Sequence, residues 1–297
     1  GLDYWPRQAK IIQIDSDPRV LGLVKPISVG IQGDARAAAA ALRERLAGRT
    51  LAGTASRAER LARIAAEKAA WEGELTAWAQ ERDPYSLEVA ADSKYMHPRE
   101  MLRALEQALP GDSMVSTDIG NICSVANSYL RFDKPRSMFA AMSFGNCGYA
   151  FPVICGAKVA CPERPAFAYV GDGAWGISFN ELLTCARERI GVTVIVFNNG
   201  QWGAEKKNHV DFYSRRYQGV NLENPSWAKV AQAFGCEGIT IERLADIEPA
   251  LRAATVAQAQ GRTTVLEMMV TQELGDPFRR DALAKPVRHL AKYQKYV

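Results

Sequence analysis

The chain lacks any long hydrophobic run. It is 47% hydrophobic, yet no stretch approaches the roughly 18 apolar residues of a membrane span. The n-region, h-region and cleavage site of an export signal are missing too. No membrane association is therefore expected. Charge of one sign is scarce: 37 Lys and Arg stand against 33 Asp and Glu, a net of +4. The basic residues are spread along the chain rather than blocked, which argues against a nucleic-acid partner. Cysteines at metal-binding spacing are also absent. Cys123, Cys147, Cys155, Cys161, Cys185 and Cys236 form no paired pattern. Without an export signal, the expectation is reduced thiols and a cytoplasmic location. The composition, with 24% charged residues, is that of an ordinary globular chain.

What is present is a strand–helix–strand pattern with polar ends. The stretch reads AFAYVGDGAWGISFNELLTCARERIGVTVIVFNNGQWG. A short apolar strand over 166–170 runs into a Gly-Asp-Gly turn. Helical periodicity follows over 178–190, with Phe179, Leu182, Leu183 and Ala186 on one face. A β-branched strand over 192–197 then ends in Asn-Asn-Gly. Asn-Gly after a strand is also a hairpin signal, but here a helix, not a strand, precedes the run. The unit is βαβ, so its strands are parallel neighbours. Asp172 and Asn199 then lie at the carboxyl ends of adjacent strands, where open α/β sheets bind ligands. A carboxylate, an amide oxygen and a backbone carbonyl meeting there suit Mg²⁺, a hard ion that shares its shell with phosphate and water. Glycines beside them let backbone N–H groups approach phosphate oxygens.

Taken together, the Gly-Asp-Gly and Asn-Asn halves resemble the thiamine diphosphate signature of the acetolactate synthase and pyruvate oxidase superfamily, over roughly residues 92–273. The resemblance implies a doubly wound α/β sheet that binds thiamine diphosphate and Mg²⁺. It implies side-chain metal ligands at Asp172 and Asn199 and a backbone carbonyl ligand at Gln201. Gly171, Gly173, Ala174, Trp202 and Gly203 would lie along the cofactor. Asn121, after a strand over 114–117 and the turn Asp118-Ile119-Gly120, would touch the diphosphate. Ser143 to Pro152 (SFGNCGYAFP) is similar to the superfamily segment that holds the aminopyrimidine ring, followed by a helix over 153–160. There the Gly145 carbonyl would accept from the 4′-amino group. Cys147 would be the apolar wedge that bends the cofactor, where relatives usually carry Met, Leu or Ile.

Residues 1–47 resemble the end of the superfamily's central domain: a strand over 10–14, a strand over 27–31 and a helix over 35–46. The chain opens without a methionine, so the expectation is a domain whose beginning is missing. Residues 48–91 read as a linker with an amphipathic helix over 57–80 and a loop at Asp83-Pro84. Residues 92–275 form the diphosphate-binding domain. A helix over 99–109 follows His97, expected to be structural or capping. Further on, Asn224-Pro225-Ser226 caps a helix over 227–234, and a last strand covers 264–269. Residues 276–297 form a basic, aromatic tail, read as an arm around a partner.

The segments GLDYWPRQAKIIQIDSDPRVLGLVK, SFGNCGYAFPVICGAK and NNGQWGAEKKNHVDFYSRRYQGVNLENPSWAKVA narrow the resemblance to the sulfoacetaldehyde acetyltransferase family. That family takes sulfoacetaldehyde and phosphate to acetyl phosphate and sulfite. Two anionic substrates call for cationic groups, and Lys206, Lys207, Arg215 and Arg216 are the candidates. The glutamate that activates the cofactor in this superfamily comes from a preceding domain and is expected outside these residues. Sites are built between subunits, so a homodimer or homotetramer of the complete polypeptide is implied. Two alternatives remain at this point: an acetolactate synthase-like or pyruvate oxidase-like enzyme acting on pyruvate, and a noncatalytic cofactor-binding fragment.

Overall fold

A computed structural model of the chain describes residues 8–51, 53–80 and 94–274. The loop at Asp83-Pro84, the boundary near residue 92 and the tail 276–297 lie outside them. The chain divides into two compact units, Gly1–Lys68 and Ala69–Val297.

The first unit holds a parallel pair, β1 (Ile12–Asp15) and β2 (Val29–Gln32), and the helix α1 (Ala35–Leu46). Both strands begin two residues later than the apolar pattern indicates. The carbonyl of Ile11 accepts from both Ser28 N and Val29 N, and Ile11 N donates to the Ser28 hydroxyl. The regular ladder therefore opens only at residue 12. Asp34 caps α1, its Oδ1 accepting from Ala37 N at 2.9 Å, which satisfies one of the unpaired donors of the first turn. Helix α2 (Arg57–Gln80) crosses the division at residue 68.

In the second unit the order is α3 (Pro98–Ala108), β3 (Met114–Thr117), α4 (Asn121–Ala126), β4 (Met138–Ala140) and α5 (Ala150–Ala160). Then come β5 (Ala166–Gly171), α6 (Asp172–Ser178), α7 (Leu182–Glu188), β6 (Thr193–Asn198) and α8 (Gly203–Phe212). The chain continues through α9 (Trp227–Ala233), β7 (Glu237–Ile241), α10 (Ile247–Ala259) and β8 (Thr264–Met269). The sheet is parallel throughout, in the order β4-β3-β5-β6-β8-β7. Helices cover both faces, so the expected doubly wound α/β class holds.

Alternation within the strands builds the two layers. On β5, Ala166, Ala168 and Val170 meet α5, α6, α7 and α9 through Phe151, Ile154, Trp175, Leu182 and Ala231. Phe167 and Tyr169 face the opposite way, toward α3, α4 and α10, with Leu102, Leu105 and Leu251. Leu75, on the second half of α2, joins that layer. Both sides of β5 and β6 are buried, which is why they read as continuous apolar runs. Full burial of each large side chain contributes about 1.5–3 kcal/mol.

Two readings need correction. The Gly-Asp-Gly segment is not a free turn: Gly171 ends β5, and Asp172 already opens α6. The helical stretch over 178–190 is broken by a 3₁₀ turn, Phe179–Glu181. With three residues per turn there, Phe179, Leu182 and Cys185 share the inward face, while Leu183 is 57% exposed and Ala186 is exposed. The sequence pattern also gave no sign of α4, β4, β7 and α10. β4 is three residues long, and β7 is partly exposed, with the pattern of an edge strand.

A buried amide ties α10 to the sheet. Gln258 accepts from Ala166 N at 2.8 Å and donates to Ala166 O at 2.9 Å and Thr193 Oγ1 at 2.6 Å. Its amide thus stands in for a neighbouring strand at the start of β5. Gln258→Leu would leave the buried Ala166 N–H and C=O without these partners. The expected loss is about 2–4 kcal/mol of stability, read as a lower urea midpoint at unchanged slope.

Candidate cofactor site

The connections leaving β3 and β5 diverge. β3 leads to β4 at one edge, and β5 leads to β6 on the other side. Such a switch point opens a crevice at the carboxyl ends of the two strands. Here it is a cleft of about 560 Å³, counting the part open to solvent. Its walls come from the ends of three strands: Ile119–Cys123 after β3, Gly171–Ala174 at the end of β5, and Asn199 and Gln201–Glu205 after β6, with Cys147 at one side. Helices α4, α6 and α8 all begin here. The N–H groups of the first turn of α8 are unpaired within the helix and suit an anion.

Asp172 is buried at the base of the cleft. Its Oδ2 accepts from Asn224 Nδ2 at 2.6 Å and Gly200 N at 2.8 Å. Its Oδ1 accepts from Gly173 N at 3.0 Å. Burial pushes the carboxyl up to about 6, against the pull of these donors. A buried carboxylate of that kind is the ligand a divalent cation would stabilise. Beside it, Gln201 forms a bridge with Asn221 through the flanking bonds Trp202 N to Val220 O and Leu222 N to Gly200 O. The N–H and C=O of Gln201 itself point to the other side, and that N–H interacts with Asp172. Gln201 Oε1 is also buried without a hydrogen-bond partner. The carbonyl of Asn199 accepts from Gln272 Nε2 at 3.1 Å.

A second buried carboxylate, Asp118, closes the end of β3. Its Oδ1 accepts from Ile119 N at 2.8 Å and Gly148 N at 3.1 Å, and its Oδ2 from Ala150 N at 2.9 Å. Burial raises its pKa against those N–H groups. This carboxylate joins the turn after β3 to the entry of α5, and so fixes the segment that carries Cys147. The Cys147 thiol is half-buried on the cleft wall, its pKa raised first by burial and then by Asp118. Gly148 has φ +80°, and a Cβ there would lie 2.9 Å from Ile177 Cγ2. Only glycine fits that bend.

Comparison with known proteins agrees with this geometry. The family model described as the thiamine pyrophosphate enzyme C-terminal TPP binding domain matches residues 118–268, just over half of the chain. The chain belongs to the thiamine pyrophosphate enzymes. A sulfoacetaldehyde acetyltransferase of Castellaniella defragrans is 61% identical over all of this chain and half of its own length. An acetolactate synthase of Mycobacterium bovis is 30% identical over 83% of this chain and 38% of its own. The solved structure of benzoylformate decarboxylase from Polynucleobacter necessarius superposes with a TM-score of 0.66 at 18% identity, covering 91% of this chain and 46% of that one. That likeness shows the fold. The chain spans about half the length of the curated relatives it matches.

Within this thiamine pyrophosphate enzyme domain, Asn121, Cys147, Gly171, Asp172, Gly173, Ala174, Asn199, Gln201, Trp202 and Gly203 all line one cleft. Gly145 does not; it lies in an exposed loop with φ +78°. Trp202 packs on Gly173 so closely that a Cβ there would be 2.9 Å from the indole. The four basic candidates stand elsewhere. Lys206 is buried, donates to Gln272 Oε1 at 3.1 Å and lies over the Tyr217 ring. Lys207 pairs with Asp211 at 2.7 Å, and Arg215 and Arg216 are exposed. The charged side chains on the cleft wall are Asp172 and Glu205, both acidic. An acidic wall beside helix N-termini is a donor set that fits a metal-bound diphosphate. His97 begins α3 without a side-chain cap bond, and its Nδ1 meets Glu273 Oε2 at 2.8 Å. The sequence reading missed Asp118, Asn224, Glu267 and Gln272. The Asp in Asp118-Ile119-Gly120 was the one available signal.

Removing the Asp118 carboxylate strands three N–H groups and frees the Cys147 segment. Asp118→Ala should speed alkylation of Cys147 about tenfold, a local opening eased by ~1.4 kcal/mol. Site-resolved mass spectrometry reads this, with Cys161 as internal reference.

Proposed function

We propose that the chain is the diphosphate-binding part of an enzyme that converts sulfoacetaldehyde and phosphate to acetyl phosphate and sulfite, using thiamine diphosphate and Mg²⁺. The observation that carries this reading is the 61% identity to a sulfoacetaldehyde acetyltransferase along the whole chain, against 30% for an acetolactate synthase. The cleft supports it independently of the substrate. When bound, thiamine diphosphate supplies a nucleophilic carbon for the aldehyde and a sink for the electrons that remain.

The residues of the chain then have separate tasks. The Asp172 carboxylate, the Asn199 side chain and the Gln201 carbonyl hold Mg²⁺, a donor set of the hard oxygens this ion takes. The turn Gly171–Ala174, Asn121 and the start of α8 at Gly203 offer N–H and amide donors to the diphosphate. Trp202, stacked on Gly173, keeps water from that end. Cys147 is the apolar wedge against the cofactor, and the Gly145 carbonyl accepts from its amino group. Arg215 and Arg216, just past α8, are the accessible cations for the sulfonate and phosphate of the substrates; Lys206 and Lys207 act through Gln272 and Asp211. In the 142–146 loop, Met142 is 75% and Phe144 91% exposed. This supports a homodimer or homotetramer in which a second copy of the complete polypeptide covers the loop. The domain division follows the same reading: 1–47 ends a central domain, 48–91 links, and 92–275 binds the diphosphate. Among the described residues no helix is long and apolar enough to cross a membrane, and the six cysteines are free, which supports a cytoplasmic enzyme.

The test is a product assay on the complete polypeptide with sulfoacetaldehyde, phosphate, Mg²⁺ and thiamine diphosphate. Sulfite and acetyl phosphate should form in equal amounts. Asp172→Ala should abolish both, together with Mg²⁺-dependent cofactor binding by calorimetry. Bound cofactor without sulfite would discard the substrate and keep the cofactor site.

A further inference from the structure

Glu267, in the middle of β8, is buried and faces a dense set of donors. Its Oε1 accepts from Asn198 Nδ2 at 2.8 Å and Trp227 N at 3.0 Å. Its Oε2 accepts from Thr240 Oγ1 at 3.0 Å, Ser226 Oγ at 3.1 Å and Ala228 N at 3.2 Å. A carboxylate inside a sheet survives only with such compensation. Val196 is the cross-strand partner of Glu267, so Asn198, two residues on, lies on the same face as Glu267. The first turn of α9 sits over the same carboxylate.

Backbone N–H groups on each oxygen, from Trp227 and Ala228, make both Glu267 oxygens acceptors. Asn198 must therefore present its NH₂ to Glu267, which turns its Oδ1 away. That Oδ1 accepts from Asn224 Nδ2 at 3.0 Å, and the same NH₂ gives its second hydrogen to Asp172 Oδ2 at 2.6 Å. One acceptor thus dictates the polarity of two amides in series. With Asn198 reversed, Asn224 would turn its oxygen toward the Asp172 carboxylate and repel it. In the arrangement present, Oδ2 of Asp172 takes Asn224 at 2.6 Å and Gly200 N at 2.8 Å, and Oδ1 takes the N–H of Gly173 at 3.0 Å, with the Gln201 N–H also drawn to the carboxylate.

We propose that Asn224 is a positioning residue that commits Oδ2 of Asp172 and leaves Oδ1 for the cation, and that Glu267 sets the direction of this relay through Asn198. The inference rests on the proposed Mg²⁺–thiamine diphosphate site and deepens it. None of the three relay residues lines the cleft, and Asn224 reaches the proposed metal through Asp172.

The experiment titrates Mg²⁺ calorimetrically into the complete polypeptide at saturating thiamine diphosphate, with thermal midpoints recorded alongside. Asn224→Ala should weaken Mg²⁺ binding by about tenfold to a hundredfold, the usual effect of losing a partner that orients a ligand. Asn198→Ala keeps Asn224 but removes what directs it, and should act in the same sense. Both losses should be larger for Mg²⁺, which demands near-octahedral geometry, than for Ca²⁺. Thr240→Val removes a Glu267 bond outside the relay; it should lower the thermal midpoint and leave Mg²⁺ affinity unchanged. Wild-type Mg²⁺ affinity in Asn224→Ala and Asn198→Ala would overturn the proposal. An equal loss in Thr240→Val would do the same, by showing a general structural effect. If the unsubstituted polypeptide bound the cofactor equally well without Mg²⁺, the metal reading of the site would fail, and this inference with it.

Discussion

Burial of the Asp172 carboxylate is the constraint around which the cofactor end of the sheet is organised. The group sits where β5 gives way to α6, with little access to water. Keeping a charge there requires donors, and they come from separate parts of the chain: Gly173, Gly200 and Asn224. Each donor fixes a segment. Gly173 lies in the first turn of α6, Gly200 holds the turn after β6, and Asn224 fastens the chain just before α9. The walls after β5 and β6 are thus tied together by satisfying one carboxylate. Burial still raises its pKa against these donors.

Asp118 and Asp172 are adjacent solutions to the same problem. They follow β3 and β5, neighbouring strands in parallel register, and both are buried. Both oxygens of Asp118 are committed to N–H groups of the turn that follows it and of the entry to α5. It functions as a clasp for the Cys147 segment. On Asp172, Oδ2 takes Asn224 and Gly200 N while Oδ1 takes Gly173 N. The structural carboxylate and the one proposed to hold a metal differ in the directions of their donors, not in residue type.

The rest of the sheet supports these two ends. Alternation on β5 and β6 sends side chains into two dry layers, which locks the register of the strands and so the heights of Asp172 and Asn199. A one-residue slip would turn every core side chain to the wrong face. Gln258 on α10 and Glu267 on β8 extend the same rigidity across the sheet through hydrogen bonds to β5, β6 and α9. The ligand-binding end can therefore be polar and loop-built while its positions stay fixed.

The sequence by itself determined what depends on near neighbours. The βαβ unit, the helices over 35–46 and 57–80 and the strands over 114–117 and 264–269 follow from local periodicity. The pairing of Gly-Asp-Gly with Asn-Asn follows from a short, regular spacing, which is why Asp172 and Asn199 could be named in advance. Tertiary structure alone decided what depends on distant partners. The 3₁₀ turn at Phe179–Glu181 rephased the next helix so that Cys185, not Leu183, is buried. The edge strand β7 has no strong pattern because one side of it meets water. The relay from Glu267 through Asn198 and Asn224 to Asp172 joins residues far apart in the chain. The direction of an amide depends on which acceptor it meets, and only folding brings that acceptor within reach.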